Sequence, residues 1–228
     1  MTIRLSSKKL SGLTLVEALV IIAVGLVVAG IYLPELLRPR HHVGHFRTQC
    51  ANNLKQVATA FRVWSGDHND RFPMEVSTNE GGTKEFATTL QISRHFQVMA
   101  DEFGNSPKVL ICPDDNRVPI DAFDPTNVLR NENISYFIGI DATDSTNSQA
   151  MFLAGDRNIS DSDKIRRGFF FRGTNQFVQW SLEMHSAGKS SGAGNSAISD
   201  GSVQQVTSSA LRKLWQNTGI ATNRLVLP

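Results

Sequence analysis

Residues 13 to 33 form a run of twenty-one positions broken by a single charge, Glu17, and no charged residue occurs between Ala18 and Leu33. At the helical rise this is about 30 Å, the hydrocarbon thickness of a bilayer, so the segment is long enough to span one. A secretory signal peptide would place small residues after a shorter apolar region. Here the small residue, Gly12, precedes the run, so cleavage beside it would leave the helix on the product. Lys8 and Lys9 predict a cytoplasmic N-terminus by the positive-inside rule, although Arg38, Arg40 and Arg47 on the other side reduce the asymmetry. Glu17 is the anomaly. A lone carboxylate in a bilayer costs a few kcal/mol, so an acid near the start of such a helix is expected to have a partner.

Beyond residue 45 apolar residues recur in a chain of 228 residues with 40% hydrophobic and 19% charged composition, enough for one real core. The net charge of +2 does not point to nucleic acid. Residues 1–12 carry Arg4, Lys8 and Lys9 and no acid, and the remainder holds 20 basic against 21 acidic residues, with no clustered cationic face.

Ser11-Gly12 followed by Leu13-Thr14-Leu15-Val16-Glu17 and an apolar helix resembles the processing signal of type IV pilins and of the pseudopilins of type II secretion systems. The resemblance implies cleavage by prepilin peptidase between Gly12 and Leu13, N-methylation of Leu13, and a filament-assembly role for Glu17. In that role the carboxylate meets the new α-amino group of a neighbouring subunit, charged below a pKa of about 8. Pro34 matches a proline common along the family's helix. Cys50-Ala51-Asn52-Asn53-Leu54-Lys55-Gln56, Cys112-Pro113-Asp114-Asp115 and Ser199-Asp200-Gly201-Ser202-Val203 are similar to a large pilin-like group of planctomycetes and verrucomicrobia. That group ends in a His...Asp-Gly motif, for which His185, Asp200 and Gly201 are the matching residues, with the Ser/Gly-rich stretch 186–195 between them.

The expected fold is α+β and pilin-like, a long N-terminal helix packed on an antiparallel sheet. Its parts are a cytoplasmic leader (1–12), a transmembrane helix (13–33), an amphipathic continuation (34–66) and an extracytoplasmic head (67–228). Pro34 and Pro39 are expected to bend or break the helix. Phe46, Cys50, Leu54, Val57, Phe61 and Trp64 recur at helical spacing and form one apolar stripe. Thr88–Phe103 has helical spacing as well. Strands are predicted at 109–112, 135–140, 150–154, 168–172, 177–184, 196–199 and 202–206, and a short helix at 210–215. Asp200-Gly201 predicts a type I′ hairpin turn.

Cys50 and Cys112 fall on the non-cytoplasmic side of this topology, where a disulfide is plausible; two buried free thiols are the alternative. Catalytic patterns are weak. Gly188-Lys189-Ser190-Ser191-Gly192 matches a nucleophile elbow, but no histidine follows His185. A P-loop fails because Glu183 stands where its first glycine belongs. His41, His42 and His45 lack an acidic third ligand, so no metal site is expected there. The acidic loop 141–147 offers oxygens to calcium without an EF-hand pattern, so no cofactor is assigned. Gly155-Asp156-Arg157-Asn158 leaves a functional contact, a salt-bridged turn and a subunit interface open. The reading is a non-enzymatic filament subunit of the bacterial inner membrane, single-pass, with its head periplasmic or extracellular. Its partners would be prepilin peptidase, other pilin-like subunits and an inner-membrane assembly platform. The alternative is a membrane-tethered binding module that forms no filament.

Overall fold

Helical residues dominate the first third of the chain, but in two different patterns. The computed structural model describes residues 14–37, 42–124, 128–144, 150–162, 164–185 and 190–228. Helix α1 spans Leu15–Leu37 and α2 spans His42–Gly66. The chain divides into two units between His41 and His42. The amphipathic segment expected at 34–66 is therefore split, its first residues closing α1 and the rest belonging to the head. Pro34 does not end α1. A proline removes the single hydrogen bond to the carbonyl four residues back, and near a helix end that loss is tolerated. Pro39 lies outside the described residues.

Apolar side chains point in every direction around α1. From Thr14 to Gly30 every position but Ala18 is exposed, Leu15, Val16, Leu19, Val20, Ile21 and Ile22 among them. Such a helix has no polar face to turn to water and no single stripe to bury. Among the described residues no helix is long and apolar enough to cross a membrane. Side chains of α1 are described as far as Gly30, and residues 15–30 cover about 24 Å at the helical rise. The expected span 13–33 begins and ends outside that stretch.

In the second unit the architecture is α+β with an antiparallel sheet. Strands β1 (Tyr136–Gly139), β2 (Phe152–Asp156), β4 (Gly168–Gly173), β6 (Ala193–Ile198), β7 (Val203–Thr207) and β8 (Thr222–Leu227) line up in the order β4-β8-β1-β2-β6-β7. Every pairing is antiparallel. Two short strands, β3 (Ile159–Ser160) and β5 (Gln179–Trp180), form a separate ribbon.

Both faces of the sheet are covered, which is why β1, β2 and β6 are buried at every position. The stripe of α2 lies on one face: Cys50, Leu54, Val57, Phe61 and Trp64 pack with Tyr136, Ile138, Leu153, Ala154 and Ala197. Alternate residues point the other way. Phe137, Phe152, Phe170 and Leu225 meet Leu211 and Trp215 of α4 (Ser208–Gln216). Thr207 caps α4 by accepting from the Ala210 amide, and Trp215 Nε1 donates to the Gly173 carbonyl at 3.2 Å. Gly155 sits where a Cβ would lie 2.5 Å from the Phe137 ring, so the sheet and its packing admit no side chain there.

Several predicted elements change. Residues 107–110 form a 3-10 turn begun by Pro107, whose fixed φ favours helical over extended backbone. Only its continuation through Ile111 is extended, so the strand expected at 109–112 is absent. The helix expected at 88–103 contracts to α3 (Ile92–Gln97) followed by turns, and Gly104 and Asn105 are left-handed. Ile92, Phe96, Met99 and Phe103 are buried nonetheless, so the apolar spacing marks the packed face even where helical bonding stops, except at Leu90, which is exposed. At residues 199–201 the turn is not type I′. Gly201 alone has positive φ, 82°, its amide bonds to the Ile198 carbonyl, and the Ile198 amide bonds to the Ser202 carbonyl. This is a three-residue loop with a left-handed glycine in its last position.

Candidate functional site

The processing junction expected at Gly12 and Leu13 lies outside the described residues. Glu17 lies within them, in the first turn of α1. Its carboxylate accepts from the Thr14 amide and from Thr14 Oγ1, both at 2.9 Å, while the Glu17 amide donates to Thr14 Oγ1 at 3.3 Å. This reciprocal pattern is a capping box. The acid that interrupts the apolar run thus has a local partner within its own chain, and Thr14-x-x-Glu17 is that signature in the sequence.

A second polar centre, largely buried, lies in the head, and five separate stretches of chain build it. Cys50 on α2 is joined to Cys112 in a disulfide, with a Cα–Cα separation of 4.8 Å. His185, 1% exposed, approaches the same place from the loop after β5, with a left-handed φ of 58°. Its Nε2 lies 3.5 Å from Cys112 Sγ and 3.1 Å from Asp156 Oδ2. Its Nδ1 lies 3.0 Å from Asp114 Oδ2 without hydrogen-bond alignment, and its amide donates to that same oxygen. Asp114 therefore holds both backbone and ring.

Asp156 ends β2 fully buried. Its Oδ2 accepts from the Asn195 amide at 2.7 Å and from Asn195 Nδ2 at 2.8 Å, and Oδ1 is buried with no hydrogen bond. Arg47 supplies the opposing charge. Burial lowers its pKa and the field of Asp156 works to raise it again, while its guanidinium donates to the carbonyls of Gly194 and Val206, both at 3.0 Å. The Tyr136 hydroxyl, buried and near Asp156, is pushed well above the usual tyrosine range by desolvation and then by that carboxylate. It donates to the Cys50 carbonyl at 3.3 Å. Asn158 Nδ2 donates to the carbonyls of Ser181, Met184 and Ala193, tying the loop that carries His185 to β6.

Beside this centre Arg157 grips Asp115 with two bonds, 2.6 and 2.7 Å, both side chains nearly buried. Burial works to raise the Asp115 pKa, and the bonds from Arg157 outweigh it and hold it below the usual range. Arg117 is brought down to about 10 by burial and by the Arg157 charge. Its guanidinium donates to the carbonyls of Asn131, Ile134 and Pro228. A cavity of about 450 Å³ opens next to Arg117, Arg157 and Arg167, but the donors of the first two are directed to these internal acceptors.

His185 and Asp200, the family-motif pair, have different neighbours. Asp200 Oδ1 accepts from the Ser202 amide at 2.7 Å, and the Gly201 carbonyl accepts from Lys55 Nζ at 2.6 Å, so the Asp-Gly turn docks on α2. Of the nucleophile-elbow pattern, Gly188 and Lys189 lie outside the described residues and Ser190 is exposed. In the acidic loop Asp141 pairs with Arg224 Nε at 2.9 Å and Asp144 with Arg62 at 2.6 Å, so these carboxylates are committed to arginines. His45 is exposed and His41 lies outside the described residues.

Sequence reading missed Asn195 and Arg47 as members of this centre and left the role of Asp156 open. Gly155-Asp156-Arg157-Asn158 drew notice as a charged strand end, but nothing in one sequence says that Asp156 points inward while Arg157 turns to Asp115. Among the described residues Cys50, Cys112 and His185 form the group whose donor atoms all lie within 4.8 Å of one another. Every member of this group is buried, and its donor set of two sulfurs and an imidazole suits structural locking or metal ligation. No family model, curated protein or solved structure matches this chain.

Proposed function

We propose that the chain is a structural subunit of a pilin-like filament of the type II secretion or type IV pilus kind, cleaved after Gly12 and methylated on Leu13. The observation that carries the reading is α1. From residue 15 to 30 it is apolar on all sides apart from Glu17, and exposed at every position but half-buried Ala18. A surface of that kind is stable in lipid or among other helices of the same character, not in water. Gly25 offers a close approach between such helices, since nothing lies within 4 Å of the position a Cβ would take.

In this reading Glu17 has two successive partners. Before assembly Thr14 satisfies it; within a filament the α-amino group of a neighbour's Leu13 replaces or joins Thr14 and sets the stagger between subunits. The protein sits in the inner membrane with the head outside, and prepilin peptidase and the assembly platform are its partners. The α+β head, with α2 laid on an antiparallel sheet, supports the finer description as pilin-like.

One observation favours the tethered binding module. Phe169 and Phe171 on edge strand β4 are exposed with ring centroids 5.2 Å apart, and Phe177 and Leu182 are exposed too. The two readings separate on Glu17→Ala in a host with active prepilin peptidase. The filament subunit should show a mature mass lacking residues 1–12 with one added methyl, and Glu17→Ala should abolish incorporation while the head unfolds as in wild type. An uncleaved mass, or normal incorporation of the variant, would sink the filament reading.

A further inference from the structure

We infer that the buried centre is a zinc site in its reduced form, with Cys50 Sγ, Cys112 Sγ and His185 Nε2 as ligands and Asp156 placed to close the fourth position. The disulfide and the metal are alternative occupants of one cage.

Two edges of a coordination tetrahedron are already present. Zinc–sulfur bonds of about 2.3 Å and zinc–nitrogen bonds of about 2.0 Å at tetrahedral angles require sulfur and nitrogen about 3.5 Å apart, and nitrogen and carboxylate oxygen about 3.3 Å apart. Cys112 Sγ to His185 Nε2 is 3.5 Å, and His185 Nε2 to Asp156 Oδ2 is 3.1 Å. Cys50, Cys112 and His185 have their donor atoms mutually within 4.8 Å, all buried. Breaking the sulfur–sulfur bond frees the two sulfurs to separate to the roughly 3.8 Å that a shared zinc needs.

A disulfide alone does not call for the surroundings found here. A ligating histidine commonly has its other ring nitrogen against a carboxylate, which fixes the ring and the tautomer. Asp114 stands in that position, 3.0 Å from Nδ1, leaving Nε2 turned toward the sulfurs. Asp156 Oδ1 is a buried carboxylate oxygen with no hydrogen bond. Charge balances as well. Two thiolates neutralise the divalent cation, and the positive charge of Arg47, which couples electrostatically to Asp156, offsets the remaining negative charge.

The conversion needs a reductant, and a phosphine serves. The S–S bond breaks, phosphorus is oxidised to the phosphine oxide with the oxygen of one water, and the two protons of that water go to the two sulfurs. Zinc binding then releases both protons. The softness of the donor set, two sulfurs and an imidazole, favours zinc over magnesium or calcium.

The test uses the full chain in detergent. It is stripped of metal, with or without phosphine, given zinc, and passed over a desalting column before zinc and protein are counted. The reduced chain should retain one zinc and the oxidised chain none. Cobalt in place of zinc should give thiolate-to-metal charge-transfer bands and tetrahedral ligand-field bands. His185→Ala should weaken zinc binding at least tenfold. Should that variant fail to fold, Asp114→Asn takes its place, with affinity reduced about 10- to 100-fold. A reduced wild-type chain that keeps no zinc, a cobalt spectrum without thiolate bands, or wild-type affinity in the folded variant would each overturn the assignment.

Discussion

Reducing the Cys50–Cys112 disulfide removes a cross-link between residues 62 apart in sequence, and the size of the effect follows from that separation. On the loop-entropy relation a closed loop of this length restricts the unfolded chain by about 4 kcal/mol at 25 °C. The folded side changes little by comparison: both sulfurs are fully buried, and Cys112 Sγ keeps its neighbour His185 Nε2. For a head of this size 1 kcal/mol corresponds to roughly 2–4 °C in Tm, so the expected shift is roughly 8–16 °C. Trp64, Trp180 and Trp215 are all buried, and their fluorescence reports head unfolding in urea or on heating. The measurement uses the full chain in detergent with a chelator present, so that no metal replaces the bridge. Cys50→Ser/Cys112→Ser should match the reduced wild type to within about 1 kcal/mol. Two titratable thiols in the denatured, unreduced chain, or a stability loss below about 1 kcal/mol on reduction, would refute the reasoning.

Two further outcomes follow from buried charges. Arg157→Ala strands the Asp115 carboxylate in the interior and should cost about 3–5 kcal/mol in urea unfolding. Arg157→Lys keeps the charge but loses the two-pronged grip, and about 2 kcal/mol is expected; a loss under about 1 kcal/mol for the alanine variant would show that the pair is not what holds this loop. His95 is fully buried against Thr83 Oγ1 at 2.7 Å, and desolvation lowers its pKa from 6.5 to about 4. Between these values the unfolded chain binds the proton and the folded chain does not, so stability is unaffected above pH ~6.5 and falls as pH drops toward ~4, by about 3 kcal/mol in all. The difference between wild type and His95→Gln across that window, followed by urea unfolding, should carry this slope; parallel pH profiles would contradict it.

How much of this was legible depended on whether the signal was local. The stripe from Phe46 to Trp64 named the face of α2 that packs, because helical period and burial are read from the same spacing. Strands β1, β2, β4 and β7 lay at or near their predicted places. Strand β8 went unread although Asn217-Thr218-Gly219 marks a turn before it, because its pairing with β4 and β1 is fixed by distant chain. Residues 109–112 looked like a strand from their side chains, and Pro107 overruled them through the backbone. The polar centre was half legible. Cys50, Cys112 and His185 stood out as residue types, whereas Asp156 and Asn195 became partners only when β2 and β6 were paired side by side.

That pairing also separates two kinds of effect that would otherwise be confused. Register between β2 and β6 places Gly155 opposite Ser196 and brings the Asn195 amide to the Asp156 carboxylate. A slip of one residue would turn Asp156 to the other face and leave it buried without donors, a cost large enough to exclude that register. The centre therefore specifies how the head assembles, and it does so within the unit that begins at His42. Glu17 belongs to the other unit and touches only Thr14 by hydrogen bonds shown there. Asn195→Ala, which removes the side-chain donor to Asp156 and keeps the backbone one, should accordingly lower head stability by about 1–3 kcal/mol without changing the proposed cleavage after Gly12, and Glu17→Ala should do the reverse in kind, altering the proposed assembly and leaving the urea midpoint in place. A common shift of both readouts in either variant would mean that the two units do not act independently, and the filament role assigned to Glu17 would then have to be argued from the head as well.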